Sequence, residues 1–245
     1  AVKRFYKEAG LATEGGAFRV TLDGRGVKTQ GGQVQLVPTA ALAEALAAEW
    51  SAQGEEIDPA AFVLRDLADL ALDVIGPDRA GAIATLLRYA ETDTLCYRAD
   101  PDEPLHVRQQ ELWEPLLAAA EARYDIHFER ISGVLHRPQP VGTLKRLEAV
   151  LAAKDDFALA ALTTLTTLAA SLTVGLAALE PQADIVALWQ AAELEAEWQA
   201  QLWGRDGEAE ARRLYLHVAP ARAAVGGGED AVVVLHPQAL RLRGA

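Results

Sequence analysis

Cysteine, methionine, aromatic residues and basic charge are all scarce in this chain of 245 residues. Each scarcity excludes something. The lone Cys96 cannot form a disulfide within the chain, which fits a reducing compartment, and it leaves no CxxC pair and no thiolate-rich metal site. Methionine is absent, so the initiator is missing and trimming of a leader stays open. No apolar core follows Lys3 and Arg4, as a signal peptide would require. Lysine and arginine total 23 against 35 aspartates and glutamates, a formal net charge of −12. Such a surface repels phosphate backbones and anionic lipid, so neither nucleic acid nor a membrane is the expected partner. A basic or neutral protein is easier to meet. Most catalytic signatures are missing too. The chain has no GxxxxGK[ST] loop to cradle phosphates, no HExxH and no GxSxG. Its five histidines, His106, His127, His136, His217 and His236, are never three or four residues apart, so no helix presents a histidine pair to a metal. No metal and no cofactor is expected.

What is present is apolar and helix-prone. The chain is 51% hydrophobic, rich in alanine and leucine, and long enough to bury a full core. The expected class is α+β: a small N-terminal α/β unit with antiparallel strands (1–58), a larger all-helical domain (59–212) and a tail (213–245). In the first part Phe18, Val20 and Leu22 alternate with Arg19 and Thr21, the period of a half-buried strand. Asp23-Gly24 signals a hairpin turn. Val27–Thr29 reads as the return strand, Gly31-Gly32 as a second turn and Val34–Val37 as a third strand. Thr39 is a plausible N-cap for a helix that places Leu42, Leu46, Trp50 and Gln53 near one side.

From Ala60 the period is helical. Leu64, Leu67, Ala68, Ala71 and Val74 form one stripe. Ile83, Leu86, Leu87, Ala90, Thr94 and Tyr97 form another. Pro104 opens a third helix bearing Leu112, Trp113, Leu116, Leu117 and Ala120, with Pro115 inside it. The segment 126–136, β-branched and followed by prolines, is a possible strand returning to the first sheet. Phe157–Leu179 carries no charge over 23 residues, long enough for a bilayer. Its six Ser or Thr residues and acidic flanks argue for a buried central helix instead. Gly175 would let a neighbour approach closely. After Pro181 a further helix runs over 183–204. Gly226–Gly228 reads as a flexible link, and Ala231–Leu235 as a terminal strand or a disordered end.

Two carboxylates stand out. On one continuous helix, Ile185, Leu188, Trp189, Ala192, Ala196 and Trp203 share a face. Glu193 and Glu197 fall outside it, whereas Glu195 lies on its flank. A charge there must find water, a donor or a partner protein. Asp93 stands in the same relation to Leu86, Ala90 and Tyr97, with Arg88 or Arg98 as partners to hand. Trp189 and Trp203 suit a core, and Trp198, off the stripe, suits an interface. Cys96, inside an apolar stripe, reads as a small buried hydrophobe.

Five fragments, in order and in register, resemble a known family. They are Leu22-Asp-Gly-Arg25 with Lys28-Thr29; Val37-Pro-Thr39; Ala48-Glu-Trp50 with Gln53; Tyr89 with Thr92-Asp-Thr-Leu-Cys-Tyr-Arg98; and Gln110 with Leu112-Trp113, followed by Leu194-Glu-Ala-Glu-Trp-Gln199 and Trp203-Gly204. The series is similar to the assembly chaperones of the ATP synthase catalytic head that attend the alpha subunit. Phe62-Val-Leu-Arg65 departs from the Met-Pro-Leu-type run more usual there, and the Gly-rich tail has no counterpart we can place. The resemblance implies a two-part fold, no catalysis, and binding of the free alpha subunit before the hexamer closes. It also implies an important glutamate in the LExE(aromatic)Q segment, Glu195 first and Glu197 second. Glu195, Glu197, Trp198 and Asp93 are thus the expected partner-binding residues. The expected state is a monomer in a bacterial cytoplasm, or in the mitochondrial matrix if the source is eukaryotic. Two rival readings stay open at this point. One is a helical enzyme with Asp93 and Glu195 in a cleft; the other is a permanent scaffold subunit.

Overall fold

A computed structural model describes residues 2–133 and 136–203. The tail expected over 213–245, with its glycine link and terminal strand, lies outside them. The fold is α+β, as expected, and the chain divides into two compact units. One holds residues 2–79 with 155–161, and the other 80–154 with 162–203.

In the first unit, β1 (Val2–Lys3) pairs with β5 (Glu56–Ile57). β2 (Ala9–Glu14), β3 (Ala17–Leu22) and β4 (Arg25–Gly26) form an antiparallel sheet in that order. Asp23 and Gly24 take φ of 48° and 79°, the double left-handed turn that matches strand twist. The return strand is only two residues long. Beyond it the pairing continues as single bridges, Lys28 with Val34 and Phe18 with Val37. β2 has no counterpart in the hydrophobic pattern, because Ala9-Gly-Leu-Ala-Thr-Glu14 alternates weakly. α1 (Ala40–Ser51) starts on Thr39, whose hydroxyl accepts from the Leu42 N–H at 3.2 Å. It buries Leu42, Ala43, Leu46 and Trp50 against β2 and β3. Each large side chain contributes about 2 kcal/mol of apolar burial.

The unit runs past the break at 54–59, to Arg79, and the reason is electrostatic. Glu49 accepts from the Leu64 and Arg65 N–H groups at 2.7 and 2.9 Å, which caps α2 (Val63–Leu70) from α1. Asp69 accepts from the Gln30 N–H and the Gln35 amide. Asp73 accepts from the Thr29 hydroxyl and the Gly31 N–H. A Cβ on Gly31 would stand 2.7 Å from the Asp73 carboxyl, so a larger residue there would displace that carboxyl from its donors. The helix widens to a π turn over Ala71–Ile75. That extra residue shifts the phase, so Ile75 is buried and Val74, expected in the stripe, is exposed.

In the second unit, α3 (Arg79–Glu91) ends before Thr94 and Tyr97, which the stripe had included. A 3-10 turn (Thr94–Cys96) and β6 (Tyr97–Arg98) follow. The returning segment does not join the first sheet: β7 (Ile131–Ser132) pairs in parallel with β6. α4 (Pro104–Tyr124) is the long central helix, and it meets α5 (Val141–Ala152) and three later helices, α7 (Leu172–Ala178), α8 (Ile185–Ala192) and α9 (Leu194–Trp203). The apolar run 157–179 is not one helix. It breaks into α6 (Asp156–Ala169) and α7 (Leu172–Ala178), because Ala170 turns left-handed at φ 48° and the Ser171 hydroxyl caps Val174 N–H. α7 folds back on α6 closely enough that a Cβ on Gly175 would lie 2.5 Å from the Thr166 hydroxyl, the close approach expected of that glycine. Among the described residues no helix is long and apolar enough to cross a membrane. The last expected helix also splits, into α8 (Ile185–Ala192) and α9 (Leu194–Trp203).

Ala170 is exposed, so its methyl packs on nothing while its backbone sits in the region that glycine prefers. Ala170→Gly should therefore stabilise the protein by about 0.5–1 kcal/mol. The same change at exposed Ala118 of α4 should destabilise it by a similar amount. Denaturant midpoints of the two variants check both signs.

Candidate functional site

α4 has two kinds of face. Leu105, Gln109, Trp113, Leu117 and Ala120, spaced by three and four, are buried. Leu112 and Leu116, one step round the helix, are only half covered, and Pro115 is exposed. With Ala177, Ala187 and Leu188 they line an open groove of about 650 Å³ whose rim carries Glu111, Glu180 and Asp184. Pro115 has no N–H to donate, and beside it the groove floor is almost wholly hydrocarbon.

The buried face carries two polar anchors. The Trp113 indole N–H donates to the Ala191 carbonyl at 2.7 Å, near the end of α8. The Gln109 amide N–H donates to Glu195 Oε1 at 2.9 Å, in the first turn of α9, and its own Oε1 accepts from the Ala99 N–H at 2.8 Å. Both side chains are fully enclosed. Gln109 and Trp113 are four apart, as are Ala191 and Glu195, so two rungs tie α4 to the α8–α9 corner. Glu195 itself stays exposed, and its second oxygen has no partner among the described residues. Packing on the α4 side raises its carboxyl above the usual glutamate range, and the Gln109 hydrogen bond pulls the other way.

The other expected residues fare differently. Glu197 and Trp198 lie on α9 and are half-buried. Asp93 does not face a partner, because it has no exposure at all. It caps the 3-10 turn by accepting from the Leu95 N–H at 3.1 Å, and its other oxygen accepts from the Thr173 N–H at 2.9 Å, at the start of α7. Neither Arg88 nor Arg98 pairs with it. Burial pushes its pKa up, and the Ser171 hydroxyl and the backbone donors oppose that. Asp93 and Glu195 share no hydrogen-bond partner among the described residues. The Cys96 thiol is enclosed, and burial drives its pKa far upward. Trp203, expected in a core, is 82% exposed, with Leu202 open beside it at the end of α9. The periodicity misled there because it ran through the corner at Glu193, which resets the helical phase.

A charged cluster braces the far side of α4. Arg98 donates to the Leu95 carbonyl at 2.9 Å and to Glu114 at 3.0 Å. Arg130 grips Glu114 at 2.5 Å and also pairs with Glu121. Sequence reasoning missed this cluster, since Glu114, Glu121 and Arg130 show no motif. Arg130's hydrogen bond holds the Glu114 carboxyl below the ordinary range; for Glu121 burial works upward but the same guanidinium wins. Depressed carboxyls stabilise the fold above their unfolded pKa, and that stability disappears as pH falls through the folded values. Arg130→Met should therefore cost about 2 kcal/mol near neutrality, limited by the solvent exposure of Glu114. It should also flatten the loss of stability between about pH 5 and pH 2. Urea unfolding across that range measures both.

The comparisons agree with this architecture. The family model described as ATP12 chaperone protein matches residues 3–121. Among solved structures, Atp12 from Paracoccus denitrificans shares 38% identity over 88% of this chain and 93% of that one, with a TM-score of 0.83. A single-substitution variant of the same Paracoccus protein gives the same identity and TM-score over 92% of its length. A chaperone candidate from Agrobacterium tumefaciens, Atu1473, is 35% identical over 87% of this chain and 81% of its own, again with a TM-score of 0.83. The chain belongs to the ATP12 chaperone protein family.

Proposed function

We propose that this protein is an assembly chaperone that binds the free alpha subunit of the ATP synthase catalytic head, covers its apolar interface and yields it to the incoming neighbour. Family membership supports the chaperone role. The observation that carries the binding mode is the open apolar groove between α4 and the start of α8, beside the α8–α9 corner that Trp113 and Gln109 hold. A subunit of an obligate oligomer exposes a large apolar face before assembly. Leu112, Pro115 and Leu116 offer a matching hydrocarbon floor, and exposed Leu202 and Trp203 extend the apolar area on α9. Glu111, Glu180 and Asp184 stand at the groove, where Glu111 pairs with Arg108 and Glu180 with Arg123. Glu195, Glu197 and Trp198 are the partner-binding residues on α9, with Glu195 presenting its unpaired oxygen. Asp93 is withdrawn from that set; it holds the α7 start in place.

Masking needs contact and exchange, not bond chemistry, so an exposed and incompletely filled groove suits it. The chaperone acts as a monomer with one client, in the bacterial cytoplasm or, for a eukaryotic source, in the mitochondrial matrix. Purified chain mixed with isolated alpha subunit should co-elute as a complex and suppress light scattering on heating. Separate elution with unchanged scattering would overturn the reading. Glu195→Lys should weaken the complex about tenfold or more, roughly 1.4 kcal/mol, while circular dichroism stays intact. Glu195→Gln, which keeps the shape and an acceptor, should retain most of the affinity. If both variants lose fold, Glu195 serves the α4–α9 junction alone.

A further inference from the structure

The N-terminal unit holds a second concavity that the masking mechanism does not use. It is a cleft of about 610 Å³ lined by Phe5, Tyr6, Arg25, Lys28, Trp50 and Arg65, among others. Two of the motif fragments, Leu22–Arg25 with Lys28-Thr29 and Ala48–Trp50, meet there although they are separated by the sheet and the start of α1.

Its chemistry is consistent. Arg25 and Lys28 are exposed and form no ion pair with any described residue, in a chain whose net charge is −12. The two acids in the wall are already engaged. Asp23 accepts from the Lys7 and Glu8 N–H groups, and Asp69 from the Gln30 N–H and the Gln35 amide. Arg65 lies over the Phe62 ring and pairs with Asp66. An aromatic series leads from solvent to core: Phe5, 68% exposed, meets Tyr6 edge-on, Tyr6 meets Trp50 edge-on, and Trp50 leans on Phe62. Trp50 is 7% exposed, yet its indole N–H has no acceptor. One wall is a continuous backbone stretch, Arg25 to Gln30, that includes the short edge strand β4.

We propose that this cleft binds an extended client segment carrying carboxylate side chains next to apolar ones. Arg25 and Lys28 meet the carboxylates, and the Phe5–Tyr6–Trp50 surface takes the apolar side chains. This deepens the client-holding reading above and rests on it. It assigns the N-terminal unit an attachment point of its own, distinct from the helical groove.

The test uses the full chain, ¹⁵N-labelled, titrated with acetyl-Leu-Glu-Phe-Glu-Leu-amide while the Trp50 indole signal is followed and assigned through Trp50→Phe. The expected result is a saturable shift of that signal with a dissociation constant below about 1 mM. Replacing both peptide glutamates by glutamine should weaken binding about tenfold, and so should Arg25→Glu with Lys28→Glu, which alters only exposed side chains and should leave circular dichroism unchanged. No shift of the Trp50 signal with the fold intact would overturn the proposal. So would equal binding of the glutamine peptide, or an equal shift from inorganic phosphate or from phosphatidylglycerol vesicles. Peptide failure beside an intact alpha-subunit complex removes only this cleft. A missing alpha-subunit complex beside normal peptide binding removes the masking reading instead.

Discussion

The corner between α8 and α9 stays where it is because α4 holds it by two enclosed polar side chains. The Trp113 indole fixes the Ala191 carbonyl, and the Gln109 amide fixes Glu195 while the Ala99 N–H fixes Gln109. The neutral bonds each contribute only about 1 kcal/mol net and the one to the Glu195 carboxylate about 2 kcal/mol, but each would leave a buried polar atom stranded if broken, which makes the geometry specific. The same helix, turned by one residue, presents Leu112 and Leu116 to an unfilled groove. Its rigidity on one side is therefore what keeps an apolar surface open on the other without collapse.

Carboxylates divide the work in both units. Asp93, Asp69 and Asp73 satisfy backbone N–H groups at turns and helix starts, joining segments far apart in the chain. Burial raises the first two above their ordinary range, so each is tolerated because its hydrogen bonds offset much of the desolvation. Glu195 differs in kind: one oxygen is held and the other is offered to solvent. Two residues of the same chemistry, both expected on flanks of apolar stripes, thus have opposite fates. What separates them is whether a helix N-terminus lies across from the carboxyl.

Much of the fold is visible in local patterns. Asp23-Gly24, the Thr39 cap and the Leu42–Leu46–Trp50 face all stand where alternation and capping rules place them. The failures share a cause, which is a change of helical phase without a glycine or proline to announce it. Ala170 turns left-handed, the π turn at Ala71–Ile75 adds a residue, and Glu193 ends a helix that resumes at once. β6 and β7, two residues each and paired across thirty-odd positions, are too short to carry a period. The boundary at Arg79 depends on Asp69 and Asp73 reaching the loop at Thr29–Gln35, which composition cannot express. Of the site, Glu195 was reachable through the motif, although the helical face that also selected it ran through the corner at Glu193; its partner Gln109, 86 residues away, was not reachable. The groove was hidden for a simpler reason: Leu112 and Leu116 look like any other core leucines.

Amide hydrogen exchange on the full chain, with and without purified alpha subunit, tests the central claim most directly. Covering by a client predicts slowed exchange over the middle of α4, the α7–α8 connection and α9 in the complex. A stable complex in which those segments exchange as fast as in the free protein would contradict the account.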